Sequence, residues 1–205
     1  MDTLSLNRPW KFRLDPKNVG LSEAWCSDTR ILETSSIDID VPSCWEELEQ
    51  DYEGVAWYST QVEIDADKAG QICRIVFQAS NYRTGIWING KAAGSHDGGY
   101  TPFDFEIQDF LNYGASNQIT VRIVSPIITK DIRVDDLGPN DMPHWRGGLT
   151  AGIWQSATLE FNQSAWIKHT FYKPKIKDSA FELDLELRCN ETTSQVAILK
   201  IDVCD

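Results

Sequence analysis

The chain has 205 residues, of which 41% are hydrophobic and 11% aromatic, enough for one sizeable core and part of a second. It carries 19 basic and 31 acidic residues, a net charge of −12. Such a surface repels phosphate backbones, and no Lys/Arg cluster relieves it, so nucleic acid is excluded as a partner.

The N-terminal "MDTLSLNRPWKF" (Met1–Phe12) is polar and already holds a Trp-centred motif, which does not fit a secretory leader. Leu21–Cys26 reads as one or two helical turns. "VPSCWEELEQDYEGVAWYST" (Val41–Thr60) is rich in rings, and Trp45, Trp57 and Tyr58 read as core. Glu46, Glu47, Glu49 and Asp51 invite a reading as catalytic acids. Cleavage of a glycosidic bond needs two opposed carboxyls, one of them desolvated, and a run of neighbouring acids reads instead as solvated surface.

From Thr60 onward the dominant period is two. Thr60–Asp65, Ile72–Phe77, Thr84–Asn89, Gln118–Val124 and Ser156–Phe161 alternate and are filled by β-branched and aromatic residues, so each is predicted as a strand. Asn89-Gly90 predicts a hairpin turn. Asn81, at a strand end, is placed either to meet a ligand or to bond its own turn. Trp87, between Ile86 and Ile88, reads as a packing residue. In "GSHDGGYTPFDFEI" (Gly94–Ile107), His96 and Asp97 are strand neighbours and point to opposite faces, which makes them poor acid–base partners. Gly98-Gly99 and Pro102 read as sheet punctuation, and Phe103, Phe105 and Ile107 share a face. Ile107–Asn112 allows one or two helical turns.

Pro126–Pro143 lacks alternation and reads as a long loop. It leads into Asp141, His144, Trp145 and Arg146, where an acid, an imidazole, an indole and a guanidinium can converge on a polar ligand, or plug the loop against a neighbouring domain. Beyond Phe161 three further strands are predicted, from Trp166, Ala180 and Gln195. Leu183, Leu185 and Leu187 alternate with Asp184, Glu186 and Arg188, one buried face against one wet face. Three strands make a poor domain, so the natural protein is expected to be longer.

The cysteines number five, an odd count without a C-x-x-C pair, so no zinc site is indicated. Free thiols suit a reducing compartment, and no apolar run is long enough for a membrane span, so a cytoplasmic location without membrane attachment is expected.

"RPWKF", "VPSCWE", "GVAWY", "ASNYRTGIWINGKAAGSHDGGYTPFDFEI" and "AGIWQSATLE", in that order over about residues 4–161, resemble the N-terminal sugar-binding domain of glycoside hydrolase family 2. The resemblance implies an all-β fold. A jelly-roll (galactose-binding-like) β-sandwich would occupy residues 1–162, and the first strands of an immunoglobulin-like sandwich residues 163–205. It places the two catalytic glutamates on a TIM barrel that this chain lacks, so no catalytic residue and no cofactor or metal is expected here. The full-length protein would be a retaining β-glycosidase and this region alone inactive. The implied substrate-binding residues are Asn81, in the "NY" motif, and Asp141, His144, Trp145 and Arg146, the acid and Trp-Arg pair being separated here by an inserted Pro143-His144. The implied partners are a carbohydrate (a β-glycoside), the chain's own barrel and, in an oligomer, identical subunits. Two alternatives stay open: a free-standing carbohydrate-binding module, and a spacer for domain docking or oligomerisation without a ligand.

Overall fold

The computed structural model describes residues 2–27, 34–139, 141–142, 150–162, 165–189 and 200. The chain divides into two compact units, Met1–Phe161 and Asn162–Asp205.

The first unit is an all-β sandwich of jelly-roll type. Its strands in chain order are β1 (Asp2–Ser5), β2 (Pro9–Asp15), β3 (Ile37–Asp40), β4 (Val55–Ile64), β5 (Ile72–Phe77), β6 (Arg83–Ile88), β7 (Lys91–Asp97), β8 (Phe103–Glu106), β9 (Ala115–Val124) and β10 (Ala157–Asn162). Six of them form one antiparallel sheet in the order β3-β2-β4-β9-β6-β7, and four form the other, β1-β10-β5-β8. Alternation decides which side chains meet between the sheets. Phe12, Tyr58, Ile86, Val121 and Ile123 point inward from the large sheet, against Ile75, Phe77, Leu159 and Phe161 from the small one. Trp10 and Trp45 close this core, and each indole N–H is satisfied by a carbonyl, of Leu6 at 2.9 Å and of Tyr52 at 3.4 Å. The expected strands are present. The turn at Asn89-Gly90 has positive φ at both positions, 51° and 77°, as a tight hairpin needs. Both expected turns are present: a 3₁₀ turn at Gln108–Phe110, and a turn at Leu21–Cys26.

The outer face of the large sheet is also covered. Val55, Trp57 and Val124 face a second apolar cluster of Trp25, Ile127, Val134, Leu137 and Met142, with Tyr82 and Trp87 packed against it. Trp57 sits between Trp25 and Trp87, at ring-centroid distances of 6.1 and 5.4 Å. Trp87 is thus a packing residue, as expected, although on the outer face rather than in the sandwich core. The stretch after β9 is therefore no free loop: its apolar side chains are pinned to the sheet. Ion pairs fix its polar side. Arg122, 5% exposed, holds Asp135 at 3.0 Å and Asn18 Oδ1 at 2.7 Å.

The described part of the second unit is a two-stranded antiparallel ribbon, β11 (Ala165–Lys175) with β12 (Ala180–Cys189), closed by a 3₁₀ turn at Ile176–Asp178. Phe181, Leu183 and Leu185 are half-buried and Leu187 is exposed, because two strands cannot cover a face. The third expected strand, from Gln195, lies outside the described residues.

Candidate functional site

Asn81 follows β5 and precedes β6, and its peptide bond to Tyr82 is cis. Its backbone pairs with Gly152, donating at 3.0 Å and accepting at 3.2 Å. Its Nδ2 donates to the carbonyl of Thr150. The residue is 1% exposed, and its Oδ1 accepts no hydrogen bond among the described residues. Gly99 lies directly over that side chain: a Cβ there would overlap Oδ1. Trp154 holds Gly99 in place by donating its indole N–H to the Gly99 carbonyl at 2.8 Å, and Tyr100 meets Trp154 edge-on at 5.8 Å. Asn81 is thus a buried tie between the double-glycine turn and the segment entered at Thr150.

Asp141 caps its own turn, accepting the Gly138 N–H at 2.8 Å, and lies 3.7 Å from the Arg133 guanidinium. No hydrogen bond or ion pair joins Asn81 to Asp141 among the described residues. The two are nevertheless anchored at one end of the sandwich. Arg83, two residues after Asn81, holds both oxygens of Asp97, at 2.8 and 2.7 Å, and also Asp136. Arg133 donates to the Asp136 carbonyl at 2.9 Å. Met142 is buried in the cluster against which Tyr82 packs. His144, Trp145 and Arg146 lie outside the described residues.

His96 and Asp97 behave as scaffold. Asp97 is occupied by Arg83, and the imidazole of His96 stacks on Phe103 at 4.1 Å, with 14° between the planes. Burial lowers the His96 pKa, and Asp97 only partly opposes it. A histidine whose pKa falls on folding contributes stability that is lost as pH drops below its ordinary value, because the unfolded chain takes the proton first. Replacing His96 with Phe should flatten part of the loss of thermal stability below about pH 6.5. Melting curves across that range check it, and an unchanged slope would sink the assignment.

Two acids behave differently from a solvated run. Glu47, Glu49 and Asp51 are exposed, as expected. Glu46 is not: its Oε1 accepts the Ala151 N–H at 2.9 Å, and its Oε2 is buried without a partner among the described residues. Burial pushes its pKa up, against the pull of the Ala151 N–H. Glu53, 3% exposed, was given no role by its sequence context. Its carboxylate accepts the backbone N–H groups of Ile128, Thr129 and Lys130 at 2.9 to 3.1 Å and the Thr129 hydroxyl at 2.7 Å. Among the described residues no group of three or more His, Cys, Asp or Glu is placed to hold a metal ion.

Strands β4 to β9, the buried Asn81 and the turn at Gly98-Gly99 all fall within one match. Residues 47–160 fit the model described as "Glycosyl hydrolases family 2, sugar binding domain". The chain belongs to glycosyl hydrolases family 2. It is 28% identical over 138 residues to a β-galactosidase of Thermoanaerobacter pseudethanolicus, covering 67% of this chain and 18% of that protein. It is 31% identical over 123 residues to a β-glucuronidase of Bacteroides fragilis, covering 57% of this chain and 16% of that one. The crystal structure of Ruminococcus gnavus β-glucuronidase shares the fold with a TM-score of 0.75 at 19% identity, over 92% of this chain and 34% of that one. The chain therefore spans less than a fifth of the length of these two curated family 2 relatives.

Proposed function

We propose that this chain is the N-terminal sugar-binding region of a retaining family 2 β-glycosidase and completes one wall of the substrate pocket. Bond cleavage then belongs to a barrel elsewhere in the full-length protein. There two carboxyl groups, a nucleophile and an acid/base, carry out double displacement on a β-linked terminal sugar. The jelly roll would run over residues 1–162, and residues 163–205 would open an immunoglobulin-like sandwich. The likeness to solved β-glucuronidases over 92% of the chain, well beyond residues 47–160, supports that division.

One observation carries the pocket reading. A buried amide, Asn81, ties Thr150 to the sheet, while Arg83 ties Asp136 to the same edge. The residues between these ties include His144, Trp145 and Arg146. In this reading Asp141 and the Trp145–Arg146 pair meet the sugar, and Asn81 sets where they stand. A cytoplasmic location is proposed with it. It is supported by Cys26, Cys44, Cys73 and Cys189, all free thiols, and no helix among the described residues is long and apolar enough to cross a membrane. Assembly of identical subunits is compatible with the same reading.

The test uses the full-length protein and a panel of chromogenic β-glycosides. Asp141→Asn should lower kcat/KM about tenfold or more on whichever glycoside is cleaved, with the melting temperature within a few degrees, because the carboxylate is exposed and bonds one turn. Unchanged kcat/KM would leave this region a spacer.

A further inference from the structure

The segment 150–153 is held from two sides, and two of its ties, from Asn81 and Glu46, are side chains rather than a backbone ladder. On one side Trp45 donates its N–H to Ala151 O at 3.1 Å, and Ser43 donates to Ile153 O at 3.0 Å. On the other, Gly152 exchanges both backbone hydrogen bonds with Asn81. Ala151 is fully buried, and its N–H goes to Glu46 Oε1. Beneath the segment lies the Tyr58 hydroxyl, against Gly152 and the backbone of Ile153. An unbonded buried N–H is costly, so Glu46 occupies the place of a missing ladder partner.

We propose that Glu46 is a positioning residue that fixes the 150–152 segment against Asn81, and that it does so as the neutral acid. This inference rests on the sugar-pocket reading above. The geometry explains the preference for the proton. Ionised, the carboxylate would keep one oxygen buried without a donor among the described residues, which favours rotation toward water and release of Ala151. Among the described residues the titratable groups facing it supply no positive charge. Cys44 and Glu47 flank it on its own turn, Tyr58 faces it from β4, and Ala151 and Gly152 carry no ionisable side chain. Burial raises the pKa of Glu46, and burial followed by the neighbouring Glu46 and Glu47 raises that of Cys44. A carboxyl whose folded pKa is raised contributes stability below the ordinary value and loses it as pH rises through the folded value. The tie should therefore slacken toward higher pH.

The experiment compares Glu46→Gln and Glu46→Ala with the parent in the full-length protein. Hydrogen exchange of the peptide spanning 147–154 and the steady-state constants on a cleaved chromogenic glycoside are both followed against pH. Glu46→Ala should speed exchange in that peptide about tenfold and raise KM about fivefold, with kcat within about twofold. Glu46→Gln, a neutral isostere, should restore both and remove the loosening that the parent shows as pH rises. Parent-like exchange and KM in Glu46→Ala, a Gln variant no better than Ala, or an unaltered pH response in Gln would each overturn the proposal. Should the parent cleave no glycoside, the pocket reading falls, while the exchange of the three proteins still decides the role of Glu46.

Discussion

Glu53→Gln should lower the stability of the first unit by about 3 kcal/mol, the cost of breaking a buried, fully bonded carboxylate. That corresponds to a fall of about 6–12 °C in melting temperature for a domain of this size. Glu53 precedes β4, yet its oxygens receive four donors from Ile128, Thr129 and Lys130, which begin the long segment lying on the outer face of the sheet. Gln preserves shape but replaces one acceptor oxygen with an NH₂ group, so a donor would face donors. Burial raises the Glu53 pKa, but the Thr129 hydroxyl and the three backbone N–H groups outweigh it, and the net direction is down. A carboxylate with a depressed folded pKa contributes stability above its ordinary value and loses it as pH falls through the folded one. The gap between parent and variant should therefore be full at neutral pH and close in acid. Chemical denaturation at both pH values measures it, and equal midpoints at neutral pH would show that the donors find water as readily as Glu53. The same reasoning gives Glu46 the opposite sign. Among the described residues it has one hydrogen-bond donor and a buried idle oxygen, so two acids seven positions apart respond to pH in opposite directions.

Two strands are legible to the residue: Ala180–Cys189, where apolar and charged residues alternate, and Ile72–Phe77, a short run of mostly β-branched and aromatic residues that is buried on both faces. The Asn89-Gly90 turn matches its two positive φ angles. β4 was caught only at its end. Its first half, Val55–Tyr58, is buried on both faces, so alternation, which needs one wet face, gives no signal there. The segment after β9 reads as a long loop because its apolar residues, Ile127, Val134, Leu137 and Met142, are widely spaced; only the sheet beneath gathers them. Asn81 stood out through its motif, but its burial did not, since its partner Thr150 is 69 positions away. Glu46 and Glu53 escaped for the same reason. Whether a carboxylate is solvated depends on donors 105 and 75 positions along the chain. The family resemblance carried the fold and the sugar-binding assignment past these gaps. It did not extend to the acids, because whether a side chain is satisfied is decided by partners far along the chain.

Asn81→Ala in the full-length protein should lower kcat/KM on a cleaved β-glycoside about tenfold or more, mostly through the placement of Thr150. The substitution removes the donor to the Thr150 carbonyl and leaves that acceptor, at the root of the 143–149 stretch, to find another partner. Gly99→Ala tests the same tie from the other side. A methyl at Gly99 would overlap Asn81 Oδ1 and approach its Cγ at 2.8 Å, and Gly99 cannot withdraw while its carbonyl holds the Trp154 indole. The amide must then swing away from Thr150, so this variant should lose activity to a similar degree. The two changes should not add. Truncating Asn81 removes the atoms that the new methyl would strike, so Gly99→Ala should cost little more in an Asn81→Ala background, a coupling of about 1 kcal/mol or more in a double-mutant cycle. Additive losses would mean that Gly99 acts through its own backbone. Parent-like kcat/KM in Asn81→Ala would mean that the loop stands without its amide tie, and the sugar would have to be held from elsewhere.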